Sequence, residues 1–398
     1  MKNKDMEKGN EIKTVVPTLR FPEFQNTEGW KEYKLKSLCE IGNGKDYKHL
    51  DSGNIPVYGS GGYMTSVDDF LYDGESVCIG RKGTIDKPIF LTGKFWTVDT
   101  LFYTHSFHDC LPKFLYLIFQ QINWYKYNEA GGVPSLSKTT IGEINVFVPV
   151  GEKGELKEQQ KIVDCIFSLD ELIEATAQKV GALKEHKKGL MQRLFPAEGK
   201  NVPDLRFPEF QGMNGWEKTY IYEECPNPYS GGTPKTTEKK YYGGNIPFIR
   251  SAEIGKDKTE LSITQEGLNN SSAKMIQKGD LLIALYGANS GDIAISKIDG
   301  AINQAILCLK AKSNNLFIYY TLLKKQKYIV SKYLQGGQGN LSGEIIKSID
   351  FYIPQEIEQQ KIADCLSSLD ELIEATSRKV EILKEHKKGL MQQLFPKI

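Results

Sequence analysis

A narrow stripe runs along residues 158–196 in alternating steps of four and three: Ile162, Ile166, Leu169, Ile173, Thr176, Val180, Leu183, Lys187, Leu190 and Leu194. The same register returns 200 residues later at Ile362, Leu366, Leu369, Ile373, Thr376, Val380, Leu383, Lys387, Leu390 and Leu394. Sustained over more than four heptads, this is an a/d seam, and each stretch is predicted to be one long α-helix stopped by Pro196 or Pro396. At 1.5 Å per residue each would be roughly 55 Å long. A seam this narrow faces one partner helix. The two stretches differ at only eight of 39 positions, so the chain is a duplication that supplies its own partner. The long segment between them lets the helices lie antiparallel. Thr176 and Lys187, repeated at Thr376 and Lys387, interrupt the apolar stripe and are read as register-setting positions.

A second repeat opens each half. Residues 17–35 read PTLRFPEFQNTEGWKEYKL, and residues 203–221 read PDLRFPEFQGMNGWEKTYI. The offset here is 186 residues against 200 at the helices, so the second middle carries a net 14 extra residues. Constant ends with divergent middles imply one scaffold presenting two different surfaces.

Within the middles the period shortens. Ser76–Ile79, Pro88–Leu91 and Val146–Val150 read as strands between glycine turns, and Pro112–Tyr127 reads as a helix with proline in its first turn. The second middle repeats the order: strands at Asp280–Leu285 and Ala305–Leu309, a helix at Asn314–Tyr333, then Ser348–Ile353 leading into the long helix. The fold class is α+β. The expected divisions are a flexible tail (1–16), a first α+β domain (17–155), a central helix (156–196), a second α+β domain (197–357) and a C-terminal helix (358–398).

Composition changes the picture little. Charged residues are 25% and net charge is +1. Residues 17–157 hold 15 basic against 17 acidic side chains, and residues 203–357 hold 18 against 16. Any nucleic-acid footprint must therefore be local or completed by a partner. No apolar run approaches 18 residues, so no membrane span is predicted. The opening residues, MKNKDMEKGNEIKT, lack the apolar core of a secretory signal. The seven cysteines form no CxxC pair, which suggests reduced thiols in a cytoplasmic protein and no zinc site.

Catalytic patterns are sparse. There is no GxxxxGK[ST] loop and no dinucleotide glycine motif. Asn227-Pro228-Tyr229 carries part of an amino-methyltransferase motif but lacks its second proline. His105 and His108 beside Asp109 are read as incidental, and no metal or catalytic residue is assigned. The middles do hold glycine-punctuated polar loops: Gly80–Asp86 (GRKGTID), Gly131–Lys138 (GGVPSLSK), Tyr229–Thr237 (YSGGTPKTT), Tyr286–Gly291 (YGANSG) and Gln335–Ser342 (QGGQGNLS). Backbone N–H groups and hydroxyls in such loops suit phosphates, and Arg, Lys, Asn and Gln read base edges. Any small β domain also has such loops.

On the duplicated layout, and on GGTPKT (Gly231–Thr236), GNIPFIRSAEI (Gly244–Ile254), GDLLIALYGANSGDIAI (Gly279–Ile295), AINQAI (Ala301–Ile306), GNIPVYGSGG (Gly53–Gly62) and VPSLSKTTIGEINVFVPV (Val133–Val150), the chain resembles the DNA-specificity subunit of Type I restriction–modification systems. The first middle departs from that pattern, with IGNGKDYK at Ile41–Lys48 in place of GGTP. The resemblance implies two target recognition domains, each reading one half of a split sequence in double-stranded DNA, and a helix pair that sets the spacer. It implies docking of two methyltransferase subunits and, in a full complex, restriction subunits. S-adenosylmethionine, ATP and Mg2+ would then sit on those partners, and this chain would hold no cofactor and catalyse nothing. The DNA-contact candidates are Lys45, Tyr47, Tyr58, Arg81, Lys82, Thr84, Ser135 and Lys138 in the first domain. In the second they are Thr233, Lys235, Thr236, Arg250, Tyr286, Asn289, Ser290, Gln338 and Asn340.

Overall fold

The computed structural model describes residues 14–151, 156–334 and 340–397. The chain forms two compact units, residues 1–176 with 378–398, and residues 177–377. The long helices run Lys157–Leu194 and Glu356–Leu394, and each is shared between the units. Both helices span the predicted seams without interruption.

In the first unit the small sheet pairs Trp30–Lys34 with Thr14–Val15 and Asn145–Val148. A four-stranded antiparallel sheet follows in the order Glu40–Asn43, Leu101–His105, Ser76–Gly80, Ile89–Leu91. A second has the order Gly62–Val67, Ser52–Gly59, Lys94–Thr97, Tyr72–Asp73, with Ser52–Gly59 parallel to Lys94–Thr97.

The second unit repeats the order of both four-stranded sheets, while its small sheet has two strands where the first unit's has three. Glu217–Tyr220 pairs with Asp350–Ile353. One sheet runs Tyr229–Ser230, Ile306–Leu309, Leu281–Ala284, Ile293–Ile295, and the other runs Leu261–Ile263, Tyr242–Ile249, Gly300–Ile302, Lys274–Ile276. Its parallel pairing, Tyr242–Ile249 with Gly300–Ile302, stands where the first unit has its own. The fold of the middles is thus duplicated although their sequences diverge. Ser76–Gly80 and Leu281–Ala284 are buried at every residue, which is why these central strands read as short, mainly apolar runs without alternation.

The expected helix over Pro112–Tyr127 is shorter, Pro112–Phe119, followed by a 3-10 turn at Trp124–Tyr127. The buried Trp124 indole N–H donates to the Phe119 carbonyl at 2.9 Å and takes over a helix-terminal acceptor. The matching helix of the second unit runs Asn315–Leu334, as its pattern predicts.

In each unit the helices pair antiparallel. In the first, Ile162 and Ile166 share a core with Met391 and Leu394, and Lys387 Nζ bridges Asp170 at 2.6 Å. In the second, Leu194 shares a core with Ile362 and Leu366, and Lys187 Nζ bridges Asp370 at 2.6 Å. All twenty seam positions are buried or half-buried. The polar seam residues are satisfied, since Thr176 and Thr376 hydroxyls donate to the Leu172 and Leu372 carbonyls at 2.6 Å.

The repeated openings exist to dock on these helices. Arg20 holds Glu158 in a buried bidentate pair, both bonds at 2.7 Å, and Trp30 Nε1 adds a third at 3.2 Å. Arg206 and Trp216 hold Glu358 in the same way, at 2.8, 2.7 and 3.3 Å. The helix ends close the same cores from the other side. Phe395 stacks on Phe114 at 5.2 Å beside Trp30, and Phe195 stacks on Phe317 at 5.4 Å beside Trp216.

Candidate nucleic-acid interface

In the first unit the candidate loops gather around one crossing segment, residues 97–100. Lys45 N–H donates to the Thr97 carbonyl, Val98 N–H donates to the Tyr58 carbonyl, and Arg81 N–H donates to the Thr100 carbonyl, at 2.8, 2.9 and 2.8 Å. Two loops distant in sequence then join. Leu136 N–H donates to the Arg81 carbonyl at 2.8 Å, Gly83 N–H to the Pro134 carbonyl at 2.9 Å, and the Lys82 and Ser135 backbones pair as an isolated antiparallel bridge.

The result is an open groove of about 710 Å³ lined by Arg81, Lys82, Ser135, Lys138, Asn43 and Glu129, among others. Arg81, Lys82 and Lys138 are exposed. Glu129 accepts the Thr140 and Ser137 hydroxyls, which hold its carboxyl below the usual range, so it stays an anion at the groove's edge. Thr84 is half-buried with its carbonyl packed against Gly80. Tyr47 and Tyr58 pack on two separate apolar clusters, and both keep part of their surface open. Asn43, Glu129 and Ser137 are polar groove residues that the candidate set lacks, and the only signal for Asn43 is its place in the Ile41–Lys48 loop.

That loop departs from the GGTP pattern in letters and keeps its geometry. A methyl group at Gly44 would strike the Val98 carbonyl, as one at Gly231 would strike the Ile302 carbonyl. Both positions need a residue without Cβ because a strand end lies directly against the backbone.

The second unit rebuilds the same hub from residues 303–305. Gly231 N–H donates to the Asn303 carbonyl at 3.1 Å, Leu285 N–H to the Ala305 carbonyl at 2.8 Å, and Leu341 N–H to the Leu285 carbonyl at 2.8 Å. Thr233 donates its hydroxyl to Gln304 Oε1 at 2.8 Å, which ties the GGTP loop to AINQAI. Ser290 donates to the Leu285 carbonyl at 2.7 Å and Asn289 to Asp292 at 3.0 Å, so both shape their loop. Lys235, Thr236, Tyr286 and Asn340 are exposed. Gln338 lies outside the described residues.

Arg250 differs from the other candidates. Its guanidinium donates to both Glu253 oxygens, at 3.1 and 3.2 Å, and to Glu260 at 2.5 Å. Glu253 is buried, and the two carboxylates hold the Arg250 proton more tightly than usual. The side chain closes its loop and is committed to intramolecular partners.

Elsewhere the buried thiols serve packing. Burial pushes the Cys39, Cys78 and Cys225 thiols up to about 12, which makes them poor nucleophiles. Tyr229 donates its hydroxyl to the Met275 carbonyl at 3.0 Å. Among the described residues no group of three or more His, Cys, Asp or Glu is placed to hold a metal ion, and no helix is long and apolar enough to cross a membrane.

With this geometry in view, comparison with known proteins is specific. The family model described as Type I restriction modification DNA specificity domain matches twice, at residues 27–185 and 213–385. A putative type I restriction enzyme MjaX specificity subunit of Methanocaldococcus jannaschii is 27% identical over 297 residues, covering 71% of this chain and 66% of that protein. The MjaIX specificity subunit of the same organism is 31% identical over 176 residues, covering 42% of this chain and 40% of that protein. The chain thus spans under two thirds of either relative's length. Among solved structures, the Type I restriction–modification S subunit of M. genitalium superposes with a TM-score of 0.69 at 16% identity, covering 96% of this chain and 100% of that one. A chain from a structure of the type I R-M system, solved for its complex assembly and conformational transition, gives 0.54 at 16% identity, covering 93% and 98%.

Proposed function

We propose, from the premise that this chain belongs to the Type I restriction modification DNA specificity domain family, that it is the sequence-reading subunit of such a system. Each α+β unit reads one half of a bipartite target in double-stranded DNA, and the antiparallel helices set the gap between the halves. The observation that carries this reading is one strand topology built twice, on near-identical helices, with different loops around the same hub. A duplicated scaffold with divergent loops is what two different half-sites require.

In the first unit, Arg81, Lys82 and Lys138 supply phosphate and base contacts from the groove, and Asn43 adds an amide. In the second, Lys235, Thr236, Tyr286 and Asn340 are the exposed counterparts. The chain itself catalyses nothing. Two methyltransferase subunits carry S-adenosylmethionine and modify adenine, and restriction subunits bring ATP and Mg2+. The helices repeat exposed residues as well as seam residues, including Lys184, Glu185, His186 and Lys188 with their counterparts 200 residues on. Leu172 and Leu372 are exposed at 45% and 43%, large apolar side chains at matching positions. Two copies of one partner surface are suited to two copies of one partner. The complex works on DNA in the cytoplasm.

The test is a map of modified adenines in cells expressing this chain with its methyltransferase partner. The expected result is a split motif with a fixed gap, lost when this chain is deleted and changed in one half only when residues 203–357 are exchanged for those of a relative. An active methyltransferase whose motif does not depend on this chain would overturn the proposal.

A further inference from the structure

We infer that the hairpin Ser52–Val67 is a second DNA-reading element of the first unit, with Tyr63 and Met64 at its tip contacting base edges in the major groove. The inference rests on the DNA-reading function proposed above. Strands Ser52–Gly59 and Gly62–Val67 are joined by a two-residue turn, Ser60-Gly61. After Gly62 stand Tyr63, 63% exposed, and Met64, 51% exposed. The register shifts here, from Val57 opposite Thr65 to Tyr58 opposite Tyr63, so Met64 is the extra residue of a β-bulge and stands beside Tyr63 at an apolar tip. The Tyr63 ring meets the Tyr58 ring edge-on at 6.1 Å, and the Met64 sulfur lies against Gly59. Tyr63 is further fixed by its hydroxyl, 3.1 Å from the Ser66 hydroxyl.

The tip is continuous with the cationic groove. The Ser60 hydroxyl lies against Gly83, whose N–H bonds the Pro134 carbonyl in the groove wall. Arg81 and Lys82 therefore belong to the loop that the hairpin turn touches. A two-stranded ribbon fits the major groove, where the thymine methyl is the one apolar group that base edges offer. Cations beside the tip would take the phosphates and leave Tyr63 and Met64 for the bases. The second unit does something different at this place. Its strands Tyr242–Ile249 and Leu261–Ile263 are joined by a longer loop, closed by Arg250 on Glu253 and Glu260. The hairpin tip is thus a device of one half-site only.

The experiment uses the full chain assembled with its methyltransferase partner, after the target motif is mapped. Duplexes carrying uracil for thymine, one half-site at a time, are bound by wild type, Met64→Ala, Tyr63→Ala and Lys82→Ala. We expect uracil in the first unit's half-site to weaken wild-type binding about fourfold, the worth of one buried methyl. Met64→Ala or Tyr63→Ala should remove that sensitivity and relax the methylated motif in that half alone, with an unchanged melting profile. Tip variants that keep wild-type uracil sensitivity and motif while Lys82→Ala weakens binding would overturn the hairpin inference alone. Loss of effect from Lys82→Ala and the tip variants together would overturn the DNA-reading role of the unit as well.

Discussion

The first unit closes its helix seam with Lys387 on Asp170, and the second closes it with Lys187 on Asp370 and adds a tyrosine. Tyr320, fully buried, donates its hydroxyl to Asp370 Oδ2 at 2.8 Å, and Lys187 Nζ sits 5.1 Å from its ring centre. Burial first, and the bond to Asp370 second, hold that hydroxyl's proton well above the ordinary phenol range. The position three residues past the stacked phenylalanine is Tyr320 in one unit and Leu117 in the other. The helices themselves carry the same bridge residues in both. The anchors, by contrast, are the same in both units down to Arg, Trp and Glu. The constant helices therefore fix where each reader docks, and the readers carry the adaptations around that dock.

The largest expected effects test the part that is equal. Glu158→Ala strands the buried Arg20 guanidinium, and Glu358→Ala strands Arg206, whose side chain is 9% exposed. Removing one partner of a buried pair costs roughly 3–5 kcal/mol. Both variants should lose that much in denaturant unfolding, with hydrogen-exchange protection falling first around residues 157–166 or 356–366 respectively. A loss confined to one unit would mean that the anchors are not equivalent despite their matching distances.

The next effect tests the part that differs. Asp170→Asn removes the charge facing Lys387, and Asp370→Asn does the same to Lys187 while weakening the acceptor of Tyr320. Because both aspartates are 40% exposed, solvent limits the ionic share. Asp370→Asn should cost more than Asp170→Asn by about 1 kcal/mol, the worth of the added hydrogen bond. Tyr320→Phe should cost the same amount by itself, and the Tyr320→Phe/Asp370→Asn double variant should fall short of the sum. Additive losses would show that Tyr320 acts by packing alone.

The seam was legible in the sequence because helix period and duplication both reported it, and each of its positions is covered. The two middles were legible as α+β from central strands that are buried throughout and mainly apolar. The parallel strands Ser52–Gly59 and Tyr242–Ile249 were not, since glycine, proline and polar residues interrupt them. The anchor was quoted twice in the sequence, as LRFPEF and as the leading Glu of the helix repeat, yet Arg20 and Glu158 lie 138 residues apart. Only the fold brings them together. For the interface, the loops were legible as loops, and the groove formed by Arg81, Lys82, Ser135 and Lys138 came from them. The commitment of Arg250 to Glu253 and Glu260 was hidden, because an arginine at a strand end reads alike whether it faces DNA or its own carboxylates.

The smallest effect sharpens the comparison on the helix itself. Position 167 is Phe, and its counterpart, position 367, is Ser, one of the eight differences between the copies. Phe167 meets Phe90 at 6.3 Å and Tyr116 at 6.4 Å, and Lys113 Nζ lies 5.1 Å from its ring centre, all within the first unit. Phe167→Ser deletes a half-buried ring and should cost about 1 kcal/mol, less than full burial of a phenylalanine is worth. If the helix positions that vary serve docking of the reader and the constant exposed ones serve a shared partner, this variant will lose stability and keep its methylated motif. It will also bind the methyltransferase partner as wild type does in a pull-down at matched concentration. Lys184→Glu, at an exposed position that is lysine in both copies, should do the reverse, weakening partner binding with unfolding unchanged within about 0.5 kcal/mol. If Phe167→Ser instead weakens partner binding, the varied face of the helix belongs to the partner surface, and the division of labour between constant and varied helix positions is wrong.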